Sequence, residues 1–321
     1  MRNAGFTLAV LAAIPIIAHA QTRITISGNL DLAIESLNAD ANGGRSDVRM
    51  TEGIWDGSRL SVIGTEQLGG GLKGLFNIEH RLSPDTGTVT SGATFWAGQA
   101  WVGLQGDWGT IRLGRQYTPL RRALEPGDMT GFSWYNNGDG LAGITIRFDN
   151  NVSYQSRRLA GFTLHAAYAA GEDATDGRLG DAMGIGGVGE FGPFQIGVGY
   201  QKIEAVTGGV DDTTQIGASA GATFGDFGIG AEYAQNEVAG SKRKAIFLSG
   251  SMSLGAGTMY LTLTRDDHGT RLDNDGLGVT YSHGLSKRTS VYASLGYNRI
   301  EEGTGEDLRA RAIALGVQHF F

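Results

Sequence analysis

Large apolar and polar residues alternate along most of this chain with a period of two, the pattern of strands that have one greasy and one polar face. The clearest run comes early. Ile24, Ile26, Leu30, Leu32 and Ile34 share one face with Gly28 in the gap, and Thr25, Ser27, Asn29, Asp31 and Glu35 share the other. Two carboxylates on the polar face predict that it meets water rather than a dry core. The run is long enough to cross a bilayer at a tilt. Leu72, Gly74, Phe76, Ile78 and Leu82 likewise oppose Lys73, Asn77, Glu79 and Arg81, with Leu75 the exception. Ile144, Ile146 and Phe148 oppose Thr145, Arg147 and Asp149, while Phe162, Leu164, Ala166 and Tyr168 oppose Thr163 and His165. Ile196, Val198 and Tyr200 oppose Gln195 and Gln201. Further runs lie near 59–65, 99–105, 110–117, 183–190, 213–223, 229–236, 244–254, 258–264, 274–282 and 289–300. With a last strand over 312–321, the pattern predicts sixteen strands.

That last strand holds no carboxylate, lysine or arginine. Ile313, Leu315, Val317, His319 and Phe321 are large; Ala312, Ala314, Gly316 and Gln318 are small or polar, and Phe320 breaks the pattern. A greasy terminal strand invites aggregation in water unless it closes a barrel whose outer face meets lipid. A soluble sandwich that ends on a strand is the other reading. The connections alternate in kind. Short ones at 106–109, 191–193, 224–226 and 255–257 alternate with longer polar ones such as 38–47, 83–94, 171–182, 203–212, 265–273 and 301–307. Short turns at one rim and long loops at the other are how outer-membrane barrels are built, and an even strand count puts both termini at the short-turn rim. Trp101, Tyr154, Tyr168, Tyr200 and Tyr297 suit interfacial girdles or scattered core aromatics equally.

Residues 1–20 carry Arg2, an apolar stretch over 6–18 and then Ala18-His19-Ala20, which reads as a secretory signal peptide ahead of a barrel over 21–321. Composition narrows the function. The net charge of −7 becomes one unit more negative without Arg2, and mild acidity argues against a nucleic-acid partner. There is no cysteine, which excludes cysteine-type zinc sites and thiol nucleophiles. Because no later segment approaches a spanning helix, any membrane role must use strands. The 53 glycines against 5 prolines lack a collagen period and suit tight turns and close backbone packing.

Several stretches resemble the general diffusion porins of Gram-negative outer membranes, of the beta-proteobacterial type. Ser58-Arg59-Leu60 followed by Gly64-Thr65-Glu66-Gln67-Leu68-Gly69-Gly70-Gly71-Leu72-Lys73 resembles the first short-turn hairpin of that group. Ala100-Trp101-Val102-Gly103-Leu104 with Gly109-Thr110-Ile111-Arg112-Leu113-Gly114-Arg115-Gln116-Tyr117-Thr118-Pro119 resembles its next hairpin and the start of its third long loop. Arg147-Phe148-Asp149-Asn150-Asn151-Val152-Ser153-Tyr154 is similar to the strand after that loop, and Ser286-Lys287-Arg288-Thr289 with Phe321 to the C-terminal region. The resemblance implies an all-β, transmembrane antiparallel barrel of sixteen strands in a homotrimer, with the third loop, here 118–142, folded inward. It implies passive diffusion of small hydrophilic solutes and ions, no cofactor, and no metal. Implied partners are outer-membrane lipid, lipopolysaccharide and the barrel assembly machinery that reads the terminal Phe321. Glu125-Pro126-Gly127-Asp128 keeps the acids of the family's loop tip but not their usual order.

A constriction sorts solutes by width and field, so arginines on one wall facing loop carboxylates would set a transverse field across narrow water. Wall candidates are Arg59, Arg81 and Arg147; loop candidates are Glu125 and Asp128, with Asp139 behind them. Arg115 is expected to tie the loop to the wall. Three arginines against two acids predict a weak anion preference, with Arg121 and Arg122 unplaced. The competing functions are an outer-membrane barrel enzyme and a secreted carbohydrate-binding sandwich. The histidines His80, His165, His268, His283 and His319 are dispersed and form no recognisable triad in sequence. Long charged inner faces would be costly in a sandwich's dry core.

Overall fold

The computed structural model describes residues 22–40, 43–90, 92, 94–131, 141–171, 180–205, 211–268, 272–302 and 307–321. The proposed signal peptide and Asp139 lie outside them. In chain order the strands are β1 (Thr22–Ala39), β2 (Ser46–Glu52), β3 (Arg59–Gly69), β4 (Leu72–Ser83), β5 (Thr88–Val89), β6 (Gln99–Gly106) and β7 (Gly109–Tyr117). After the short helix α1 (Pro119–Leu124) come β8 (Arg147–Phe148), β9 (Asn151–Gln155), β10 (Phe162–Ala169), β11 (Ala182–Phe191), β12 (Phe194–Ile203) and β13 (Thr213–Phe224). The remainder are β14 (Phe227–Val238), β15 (Ser241–Leu254), β16 (Gly257–Asp267), β17 (Leu272–Gly284), β18 (Thr289–Glu302) and β19 (Leu308–Phe320).

Every neighbouring pair runs antiparallel, and β1 pairs with β19 along Asn29–Ala39 and with β2 and β3 on its other edge, which closes the sheet. β2 with β3 and β8 with β9 are interrupted halves of single barrel strands, and β5 is a flap on β4, so the barrel has sixteen strands. The alternation holds around the wall. Ile26, Val102, Leu164, Val198 and Leu315 are among the exposed outward residues, while Asn29, Gln201, Gln215 and Gln318 are buried on the inner face. A lipid-facing exterior needs this inversion, and closure leaves no unpaired edge. Most connections alternate in length as expected, but β14 and β15 are joined at the long-loop rim by the two-residue turn Ala239-Gly240, both at positive φ.

Two expectations need correction, and one open alternative is decided. Asp31 and Glu35 do not simply face water: their exposures are 0% and 2%. Residues 53–58 leave the second barrel strand and fold inward over Asp31, whose Oδ2 accepts the Trp55 N–H at 2.8 Å and the Asp56 N–H at 2.7 Å. Its other oxygen accepts from Tyr292, and Glu35 pairs with Arg49 at 2.7 Å. Second, residues 144–146 are not strand. Ile144 and Phe148 are buried inside the barrel, because this segment belongs to the in-folded loop. Of the two placements open to Trp101, girdle and interior, the structure takes the interior. Trp101 shares the inner face of β6 with Gln99, and Arg112 lies over its ring at 5.1 Å. Tyr154, Tyr168 and Tyr200 are exposed on the outer face.

Candidate pore constriction

The third long connection enters the lumen through a helix that its own sequence starts. Thr118 accepts the Arg121 N–H on its Oγ1 at 3.1 Å and Pro119 opens the first turn, so a cap and a preset φ define the start. Leu120 and Leu124 then point away from the lumen into a buried cluster with Leu141, Ile144 and Phe247. Each such side chain contributes about 1.5–3 kcal/mol by leaving water. Six residues of isolated helix would not hold together, so this packing carries the element.

The wall beneath it is made of glycines. A Cβ on Gly197 would strike the Ala123 carbonyl, one on Gly221 the Pro126 carbonyl, and one on Gly230 the Gly127 carbonyl. At Gly199 it would come within 2.8 Å of the Leu120 Cα. The loop backbone therefore lies directly on the inner surface of β11 to β14. Uncharged side chains clip it there. Ser219 donates to the Ala123 carbonyl at 2.6 Å, and Ser249 donates to the Gly127 carbonyl while accepting the Met129 N–H, both at 2.8 Å. Gln215 accepts the Thr145 N–H at 2.9 Å, and Gln201 donates to the Thr145 carbonyl at 2.8 Å.

Held this way, the loop gathers arginines from three parts of the chain around Tyr117. Arg147 donates to the Tyr117 hydroxyl at 2.9 Å and Arg81 at 3.3 Å. The guanidiniums of Arg147, Arg121 and Arg122 lie 4.5, 4.7 and 5.0 Å from the centre of its ring, within cation–π range. Arg59 stands opposite Arg81 in the β3–β4 ladder. Each cation also has an anion or polar partner close by. Arg59 forms a fork with Asp56 at 2.6 and 2.8 Å, and Arg81 meets Glu79 at 2.8 Å.

The wall candidates Arg59, Arg81 and Arg147 are thus brought together. The loop carboxylates are arranged differently from the expectation. Glu125 pairs with Arg121 at 2.7 Å and Arg122 at 2.8 Å, both on its own helix. Asp128 accepts from the Thr130 N–H and hydroxyl at 2.7 and 2.6 Å. Arg115 bonds the Ala97 carbonyl at 3.0 Å and Asp149 at 2.6 Å, so its partners flank the 118–142 connection rather than lie within it. The work of anchoring falls to Ser219, Ser249, Gln201 and Gln215. Their inward parity is readable, but nothing in the sequence shows what lies across the lumen from them. Tyr117, Asp56 and Glu79 also belong to the cluster, and the sequence reading does not single them out. Phe321 pairs with the first strand: its N–H and carbonyl bond Gly28 at 3.1 and 3.2 Å.

A sequence profile for the Gram-negative porins matches residues 7–303. The chain belongs to that family. Outer membrane porin protein 32 of Delftia acidovorans is 30% identical, over 98% of this chain and 95% of that protein. An outer membrane porin protein of Bordetella pertussis is 26% identical over the full length of both. The anion-selective porin of Comamonas acidovorans superimposes with a TM-score of 0.82 at 25% identity, covering 94% of this chain and all of the other. This porin is therefore an outer-membrane barrel of a Gram-negative bacterium, through which small hydrophilic solutes and ions diffuse passively.

Proposed function

We propose that the arginine cluster around Tyr117 is the constriction of this pore and gives it an anion preference. The observation that carries this is the gathering of five guanidiniums, Arg59, Arg81, Arg121, Arg122 and Arg147, about Tyr117. Among the described residues, Asp56, Glu79 and Glu125 are carboxylates bonded to this cluster. The whole chain is acidic, but charges farther away than ~8 Å are largely screened at physiological salt, so the field of this cluster decides. The selectivity named for the Comamonas protein supports the same sign. The reversal potential of a single channel under a KCl gradient tests it. A potential on the chloride side supports the proposal, and one on the potassium side overturns it.

The protomer is proposed to work as a homotrimer with lipopolysaccharide around its rim, exported by a signal peptide over 1–20 and folded by the barrel assembly machinery. Phe321 is proposed as part of the assembly signal. The proposed role is transport without catalysis and without a cofactor. Family membership supports each of these.

A further inference from the structure

Beside the arginine cluster, toward the short-turn rim, the inner faces of β4, β6, β7, β9 and β10 and the start of α1 enclose a polar pocket of about 150 Å³. That is roughly five water volumes. Arg112, Arg122 and His165 line it, with the donors Asn77 and Gln99 and the ring of Trp101. No carboxylate is among the described residues that line it.

Its basic groups are unevenly satisfied. Arg112 donates to Gln155 Oε1 at 3.0 Å, but its Nε is buried with no partner. Among the described residues Arg112 has no carboxylate partner. His165 makes no hydrogen bond to them, although its ring stands on the inner face of β10 opposite Gln155. Arg122 has Glu125, which lies on the helix outside the pocket. Burying an arginine nitrogen without an acceptor is costly, and a charge-assisted bond to an anion removes that cost.

We infer that this pocket is a binding station for one small oxyanion of phosphate size, held by Arg112, His165 and Arg122, next to the constriction and sharing Arg122 and Tyr117 with it. Arg112 supplies the fork and is itself fixed by the Trp101 face. His165 and Arg122 close the other sides, and the amides of Asn77 and Gln99 supply neutral donors. An anion that pauses here occupies the lumen beside the constriction and slows the passage of others. The inference deepens the proposed anion preference and rests on it for the arrival of anions, but its test turns on Arg112 and His165, which lie outside the Tyr117 cluster.

The test is chloride current through single purified channels in a planar bilayer, with inorganic phosphate added at constant ionic strength. Wild-type current should fall saturably with phosphate. Arg112→Gln should raise the half-blocking concentration about tenfold, the order expected when one charge-assisted hydrogen bond is lost. His165→Gln should raise it less, and Arg112→Lys, which keeps the charge and loses the fork, should fall between. If Arg112→Gln does not yield heat-modifiable oligomers, the other two variants carry the comparison. A chloride-side reversal potential with no saturable block overturns the station and leaves the anion preference standing. A saturable block that none of the three variants weakens overturns it as well. A potassium-side potential with a block sensitive to Arg112 overturns the preference and supports the station.

Discussion

The ring of Phe321 lies against Gly28: a Cβ built on Gly28 would approach the Phe321 Cζ to 2.7 Å and would strike the Arg59 carbonyl. The last residue of the chain is thereby seated on the first strand, with reciprocal backbone hydrogen bonds. This explains the glycine that interrupts the apolar face of β1. Gly28→Ala should hinder closure at that seam, at a cost of about 1–3 kcal/mol for overpacking. The check is the temperature at which the folded oligomer dissociates on a gel, which should fall.

Phe321→Ser separates packing from recognition. The backbone pair survives, and the ring contributes only about 1.5–3 kcal/mol. If Phe321 is part of an assembly signal, the yield in the outer membrane should fall far more than the stability of protein refolded in detergent. Equal losses in the two measurements would assign the ring to packing alone.

The glycine floor under the third loop makes a conductance prediction. Gly221→Val places a branched side chain where the Pro126 carbonyl and the Met129 methyl now sit. The loop should be displaced from the wall while the barrel still forms, because the added side chain points inward and leaves the backbone pairing of Gly221 with Gln195 and Gly230 in place. Single-channel conductance and liposome-swelling rates with larger sugars should change relative to wild type. Unchanged values for both would show that the loop does not set the pore's width.

Glu125 sets one negative charge against the two arginines of α1, so its removal has a definite sign. Glu125→Gln removes that charge and should move the reversal potential further toward chloride. Arg59→Ser with Arg147→Ser should move it the opposite way. The displacement in each case should shrink as salt rises, because screening shortens the reach of the cluster's field.

Tyr117 should matter through its ring more than its hydroxyl. Tyr117→Phe loses the bonds to Arg81 and Arg147 but keeps the face that Arg121, Arg122 and Arg147 cover. Tyr117→Ala removes both. Selectivity measured by reversal potential should therefore change little in the first and clearly in the second.

The strands themselves are legible in the sequence because alternation is a local property. Ile24, Ile26 and Ile34 have to share a face whatever their neighbours, and lipid outside requires that the greasy face be the outer one. The sixteen strands, most of the alternation of rims and a terminal strand that closes the barrel follow from that pattern. The parity rule fails where the chain leaves the wall. Ile144, Ile146 and Phe148 alternate as a strand would, yet they pack inside, since the loop they finish is held by glycines and glutamines dozens of residues away. Asp31 reads as solvated, and only the inward fold of 53–58 reveals it as an acceptor for two backbone N–H groups. The arginines likewise announce an electropositive lumen, but Arg121 and Arg122 join Arg81 and Arg147 at one tyrosine only through the closed barrel. A strand's pattern says which way a side chain points; what it meets across the lumen is decided by the tertiary structure.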